Sequence, residues 1–235
     1  VQTIDAMFAG TPRPLGPRLL PSAIAKSPLV GPWTITLTGL VGDSQGDPVH
    51  HGGPEKALHH YPYEHYAAWL AETPELADGL SARPAFGENI STTGLTEETV
   101  CIGDVFAVGT VRLQVAQGRQ PCWKLNEKFK RTDMASRVQK TGRTGWYYRV
   151  LSPGHIEPGA PLQLDDRPQP AWPLSRVISL LYHRTLEIDD LDSLSKVPQL
   201  AVGWRELVAK RVNSKTVEEW KSRLSGSGQD DAQIT

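Results

Sequence analysis

Apolar positions along the first 165 residues fall in short runs that glycine and proline interrupt at short intervals. That pattern predicts the strands of a sandwich or barrel rather than long helices. In Val111–Gln114, Val and Leu alternate with Arg112 and Gln114, the period of a half-buried strand. Strands are expected at Ser22–Lys26, Trp33–Leu37, Val105–Val108, Val111–Ala116 and Gly145–Leu151. Two stretches change period. Tyr63, Tyr66, Ala67 and Leu70 recur at spacings of three and four, which predicts a helix within Pro62–Glu72. Thr132–Lys140 predicts another, with Thr132 as its N-cap and Asp133 in its first turn.

Pro158–Pro173 holds five prolines among Asp and Gln and reads as a surface linker. Beyond it the period is helical. Leu174, Val177, Ile178 and Leu181 share one face, and Asp189–Leu194 and Trp204–Val212 make two further short helices. Such helices form a small bundle that packs on the β-rich part. The expected organisation is a β-rich domain over 1–165, a linker and three-helix unit over 166–224, and a disordered tail over 225–235. Trp204, Leu207 and Val208 are expected inside the helical unit, so that its removal affects stability before it affects the site.

Composition narrows the function classes. With 235 residues, 39% hydrophobic and 22% charged, the chain can build a packed core. A formal net charge of −1 leaves no footprint for a nucleic-acid polymer. No apolar run approaches the roughly 20 residues of a membrane span. Val1–Leu20 lacks the continuous apolar core of a secretion signal, so a cytoplasmic protein is expected. The two cysteines, Cys101 and Cys122, have no zinc-type spacing and are expected to be separate thiols.

Chemistry-bearing residues concentrate in four places. Pro21–Lys26 offers Ser22 and Lys26, which suit a phosphate, though alone they read as a strand with a surface lysine. His50–Pro62 carries paired glycines, which let backbone N–H groups approach a ligand, together with Lys56. Five of the seven histidines lie between His50 and His65, yet no His-Glu-x-x-His helix is present to make a zinc site. Phe86–Ile90 is a polar loop that reads as a turn closed by Asn89. Gly118–Leu125 sets Cys122 behind the rigid Pro121 and between Arg119 and Lys124, cations that favour a thiolate. From composition alone Cys122 is equally a half-buried structural thiol, while Cys101, among apolar neighbours, reads as structural.

These pieces, in this order, resemble the MOSC family. They are Pro-Ser-Ala-Ile-Ala-Lys, Val-His-His-Gly-Gly-Pro-Glu-Lys-Ala-Leu, Ala-Phe-Gly-Glu-Asn-Ile-Ser-Thr-Thr-Gly-Leu-Thr and Arg-Gln-Pro-Cys-Trp-Lys-Leu-Asn, followed by Thr141–Leu151 and the helical tail. The similarity is to its YiiM-type subgroup, described as 6-N-hydroxylaminopurine reductases. The resemblance implies a barrel-like MOSC domain followed by a small three-helix unit. It implies a molybdenum cofactor, Mo-molybdopterin, with Cys122 as metal ligand and catalytic residue. Ser22, Lys26, His51, Lys56, Asn89 and Arg119 fall in stretches that match the family's cofactor pocket. The implied activity is reduction of small N-hydroxylated compounds such as purine bases. No flavin, haem or iron–sulfur motif is visible, so electrons are expected from another protein or a small reductant. Two other readings stay open: a carrier or chaperone of the cofactor without turnover, and a cysteine-nucleophile hydrolase with a histidine base.

Overall fold

Short strands dominate the N-terminal two thirds of the chain. The computed structural model describes residues 2–4, 6–47 and 51–226; His50 and most of the expected tail, 227–235, lie outside them. The chain opens with β1 (Gln2–Ile4), β2 (Met7–Ala9), β3 (Arg13–Leu15), β4 (Leu20–Ser22), β5 (Ser27–Leu29), β6 (Trp33–Thr36), β7 (Gly39–Leu40) and β8 (Leu58–His60). Two helices follow, α1 (Glu64–Glu72) and α2 (Ala77–Leu80), and then the long hairpin of β9 (Val105–Val108) and β10 (Val111–Gly118). After α3 (Lys124–Phe129) and α4 (Met134–Thr141) come β11 (Trp146–Ser152), β12 (Gly154–Ile156) and β13 (Ala160–Asp166). The remainder is helical: α5 (Leu174–Tyr182), α6 (Ile188–Ser195), α7 (Val202–Ser214) and α8 (Lys221–Ser225).

Six strands form an antiparallel sheet in the order β1-β13-β9-β10-β11-β8. Ile90 bridges His60 at the β8 edge to Met7 of β2, which carries the pairing on to β5. Chain connectivity then forces curvature. Ile4 and Met7 sit at opposite ends of this series yet are three residues apart, a span of about 11 Å at most. The sheet therefore curls back on itself, and register shifts in β10 and β13 supply the bends.

One hydrophobic cluster fills the curl and continues into the helical unit. It joins Ile4, Phe106, Val115 and Trp146 to Leu174, Val177, Leu181, Trp204 and Val208. A second cluster, with Tyr61, Trp69, Phe86, Leu125, Phe129 and Val138, packs α1, α3 and α4 beside the sheet. Trp204 and Val208 are buried within the first cluster, with Leu207 packed against it, as the helical period predicts. No described helix is long and apolar enough to cross a membrane.

Four expectations need correction. The proline-rich stretch is not all linker, because Ala160–Asp166 is a strand between β1 and β9. Pro161 pairs only with β1, and the β9 pairing starts at Gln163, so its missing N–H interrupts no two-sided ladder. The expected strand Ser22–Lys26 ends at Ser22, whose hydroxyl accepts the Ile24 N–H and turns the chain away. Thr132 does not cap α4; Asp133 occupies that position and its carboxylate pairs with Arg131 instead. Ser225 and Gly226, expected near the start of the tail, close α8.

His60 tests the core. It is fully buried, its ring bonds the Tyr148 hydroxyl and the Thr92 hydroxyl, and burial pushes its pKa down to about 3. The folded state thus binds one proton fewer than the unfolded chain between the unfolded histidine value and about 3. Stability is fully present above about pH 6.5 and is lost as pH falls, at about 1.4 kcal/mol per pH unit. In urea unfolding at about pH 7.5 and pH 5, His60→Gln is expected to lose roughly 2 kcal/mol less on acidification than the parent. Identical acid sensitivity in the two proteins would remove His60 from this account.

Candidate functional site

The four sequence stretches meet at one end of the curled sheet. They line a cleft that is open to solvent. Ser22 and Lys26 reach it from the loop after β4, and His51 and Lys56 from the segment before β8. Asn89 enters from the Phe86–Ile90 loop, and Arg119 and Cys122 from the loop after β10. The structure thus brings all seven candidate residues together, including Lys26, Lys56 and Arg119 from distant parts of the chain.

They do not all present free groups to the cleft. Asn89 acts as a clamp: its Nδ2 donates to Phe8 O at 3.0 Å and Asp43 Oδ2 at 2.8 Å, while its Oδ1 accepts the His59 N–H at 2.9 Å. Both amide protons are committed, so a ligand can find only an oxygen lone pair there. Ser22 Oγ accepts the Ile24 N–H, which leaves its own proton for the cleft. Lys26 is buried against Asp43 with Nζ 2.5 Å from Oδ2. Arg119 donates Nη1 to Phe86 O at 2.6 Å, which ties the Cys122 loop to the Phe86 loop. Gly87, at φ +76°, allows that loop to press on Ile24; a Cβ there would fall 2.9 Å from Ile24 Cγ1. Behind it, buried Glu88 accepts the Phe86 N–H and the Tyr66 hydroxyl, and burial pushes its carboxyl above the usual range.

Charge in the cleft is predominantly positive. Among the described lining residues, Lys26, Lys56, Arg119 and Lys124 face one carboxylate, Asp43, while Asp47 acts on His51 and Lys56 from nearby. His51 registers this field. Burial, then Lys124 and Arg119, push its pKa down to about 4, so its ring is neutral at physiological pH. Burial also lowers the pKa of Lys26 and of Lys56. A set of partly desolvated cations favours an anionic ligand, which they would hold by charge-assisted hydrogen bonds. Cys122 lies among them, its Sγ 3.9 Å from His51 Nε2. A Cys–His pair is the starting point of a nucleophilic site, but an imidazole held near 4 is too weak a base for that role.

Comparison with known proteins identifies the family. Residues 47–163 match the MOSC domain family, and residues 172–215 match the YiiM-like, 3-alpha helix domain. The protein YiiM of Escherichia coli (strain K12) is 42% identical over 206 residues, covering 88% of this chain and 91% of that protein. The chain belongs to the MOSC family, in its YiiM-like branch. The crystal structure of YiiM from Escherichia coli superposes on this YiiM-like chain with a TM-score of 0.78 at 37% identity, covering 91% of this chain and 98% of that one. A Gibberella moniliformis protein named reductase is 39% identical over 178 residues, which are 75% of this chain and 31% of that protein.

Sequence reasoning missed Asp43, His59 and Tyr147 in the wall of this YiiM-like cleft. Asp43 carried no signal beyond a Gly-Asp turn, because its partners Gly10, Lys26 and Asn89 lie 33, 17 and 46 residues away. The histidine-rich stretch splits by strand alternation. His59 faces the cleft beside Tyr147, His60 faces the core, and His65 pairs with Glu97 at 2.7 Å. Among the described residues no group of three or more His, Cys, Asp or Glu is arranged to hold a metal ion.

Asp43→Ala would strip Lys26 of its counter-ion and leave the Gly10 N–H without its acceptor. Breaking a buried pair from one side costs about 3–5 kcal/mol, and a loss of that order is expected in urea unfolding. A loss under about 1 kcal/mol would show that water readily replaces the carboxylate.

Proposed function

We propose that this protein is a molybdenum-cofactor-dependent reductase of small N-hydroxylated compounds, such as N-hydroxylated purine bases. The observation that carries the reading is a single thiol, Cys122, set in a cleft lined by Lys26, Lys56, Arg119 and Lys124. That donor set fits a phosphate-bearing pterin with a dithiolene. The cations suit the anionic groups, and a soft sulfur ligand suits a metal already held by sulfur. The fungal relative named reductase supports the reaction class, although this chain corresponds to about a third of it.

In this reading Lys26, Lys56 and Arg119 grip the phosphate and the anionic edge of the pterin, with the Ser22 hydroxyl as a further donor. The rings of His59 and Tyr147, 5.0 Å apart, offer an apolar wall to a flat ligand. Cys122 supplies the protein's ligand to the metal. His51, neutral at physiological pH, gives a donor or acceptor beside the thiol without adding charge. When bound, the group supplies a two-electron couple able to take an oxygen atom. The net reaction converts R–NH–OH, two electrons and two protons into R–NH₂ and water. An external redox protein supplies the electrons.

The test combines metal analysis and turnover. Protein from a cofactor-producing host is expected to carry molybdenum in stoichiometric amount and to reduce an N-hydroxylated purine with a reduced dye. Cys122→Ser is expected to drop turnover to background while circular dichroism stays unchanged. Cys101→Ser, outside the cleft and beside Pro170 O, is expected to keep turnover per bound molybdenum. Near-normal turnover per molybdenum in Cys122→Ser would overturn the mechanism. Stoichiometric metal with no turnover in the parent would point to a carrier instead.

A further inference from the structure

After the helical unit the chain returns to the Cys122 loop. Arg211, almost fully buried at the end of α7, forks onto Glu218, with Nη2–Oε1 at 2.6 Å and Nε–Oε2 at 2.9 Å. Burial works against the Glu218 carboxylate, but hydrogen bonds from Arg211 and Trp220 outweigh it and hold its pKa down to about 2. Trp220 lies edge-on against Tyr182 and donates to Glu218 at 2.8 Å. These contacts fix the turn into α8.

From there Arg223 bonds the backbone on both sides of Cys122. Its guanidinium donates to Pro121 O, and its carbonyl accepts the Trp123 N–H at 2.8 Å. The second guanidinium nitrogen donates to Gln139 Oε1 of α4 at 2.7 Å. Two further contacts fasten the segment. Asn126 Nδ2 donates to Leu224 O at 2.8 Å, and Arg18, stacked 4.2 Å from the Trp123 ring centre, donates to Gly226 O at 2.9 Å. Gly226 sits at φ +72°, where a Cβ would fall 3.0 Å from the Trp123 ring. Pro121 has no N–H to give, and the loop between β10 and α3 is not paired in any sheet. Its backbone groups at 121 and 123 are satisfied from outside, by one residue.

We infer that Arg223 is a positioning residue for Cys122, and that segment 216–226 is a strap that sets how far the thiol stands into the cleft. This rests on Cys122 being the functional thiol of that cleft. It adds a contact to the expectation that removing the helical unit affects stability before the site: no described residue of α5–α7 lines the cleft, whereas α8 bonds the Cys122 loop.

The experiment measures alkylation of Cys122 by iodoacetamide in the folded full-length chain, peptide by peptide, with molybdenum content matched across variants. Cys101 in the same samples reports global opening. Arg223→Met is expected to speed alkylation of Cys122 roughly ten-fold, the scale of one charge-assisted hydrogen bond, and to leave Cys101 unchanged. Arg223→Lys, which keeps one donor, should fall between. Should Arg223→Met fail to fold, Arg18→Met frees the other end of the strap and is read the same way. An unchanged Cys122 rate, or parallel acceleration of both thiols, overturns the inference. The readout does not depend on the redox reaction, so a Cys122→Ser enzyme with normal turnover would sink the metal reading and leave the alkylation result standing.

Discussion

A single buried carboxylate holds the cleft in shape. Asp43 accepts the Gly10 N–H, the Lys26 ammonium and the Asn89 amide, and Asn89 in turn locks the backbones of Phe8 and His59. Five segments from separate parts of the chain are thereby fixed at one end of the sheet. The arrangement is tolerable only because every member is satisfied. A carboxylate and an ammonium out of water cost several kcal/mol each unless paired and hydrogen-bonded. The same network explains why the loops around it need no regular structure of their own: their polar backbone groups are met by side chains.

Much of the architecture was legible in the periodicity. Val105–Val108 is a strand over the range its pattern predicts, and α1, α5, α6 and α7 follow their apolar faces. The failures share a physical origin. Proline count outweighed the Leu162–Gln163–Leu164 alternation, because a sequence does not show which side of a strand a proline's missing N–H will face. Strands of two or three residues such as β7 and β12 carry too few positions to display a period. The helix α8 is five residues long and is set by tertiary contacts, with Trp220 and Leu224 packed on different hydrophobic clusters.

The site was legible in a different way. The ordered motifs located most loops of the cleft, but not the 43–46 loop or the job of each polar side chain. Asn89 and Ser22 look alike as short polar residues in loops, yet one is consumed by backbone contacts and the other retains a donor. Asp43 was invisible because its importance lies in three partners that only the fold brings together. Hydrogen-bond capacity is a property of the assembled neighbourhood, and composition does not report it. The electrostatic reading, by contrast, comes from the sum of the cations. Burial first, and then Lys124 and Arg119, lower the pKa of His51 beside Cys122.

The boundaries of the matched families sharpen the same point. The MOSC match covers 47–163 and the YiiM-like helical match covers 172–215. Ser22, Lys26 and Asp43 precede both, and Arg223 follows both, yet all four belong to the structure around Cys122. The matched core supplies most of the sheet, the thiol and most of the cations. The flanking segments supply the counter-charge and the external hydrogen bonds that an unpaired loop cannot make for itself. A helical unit whose apolar core is continuous with the sheet gives α8 a fixed base from which to reach across. On this argument the helical unit serves the cleft through geometry. It is the anchor for a segment whose contacts lie with the loop, and its own side chains need not enter the site at all.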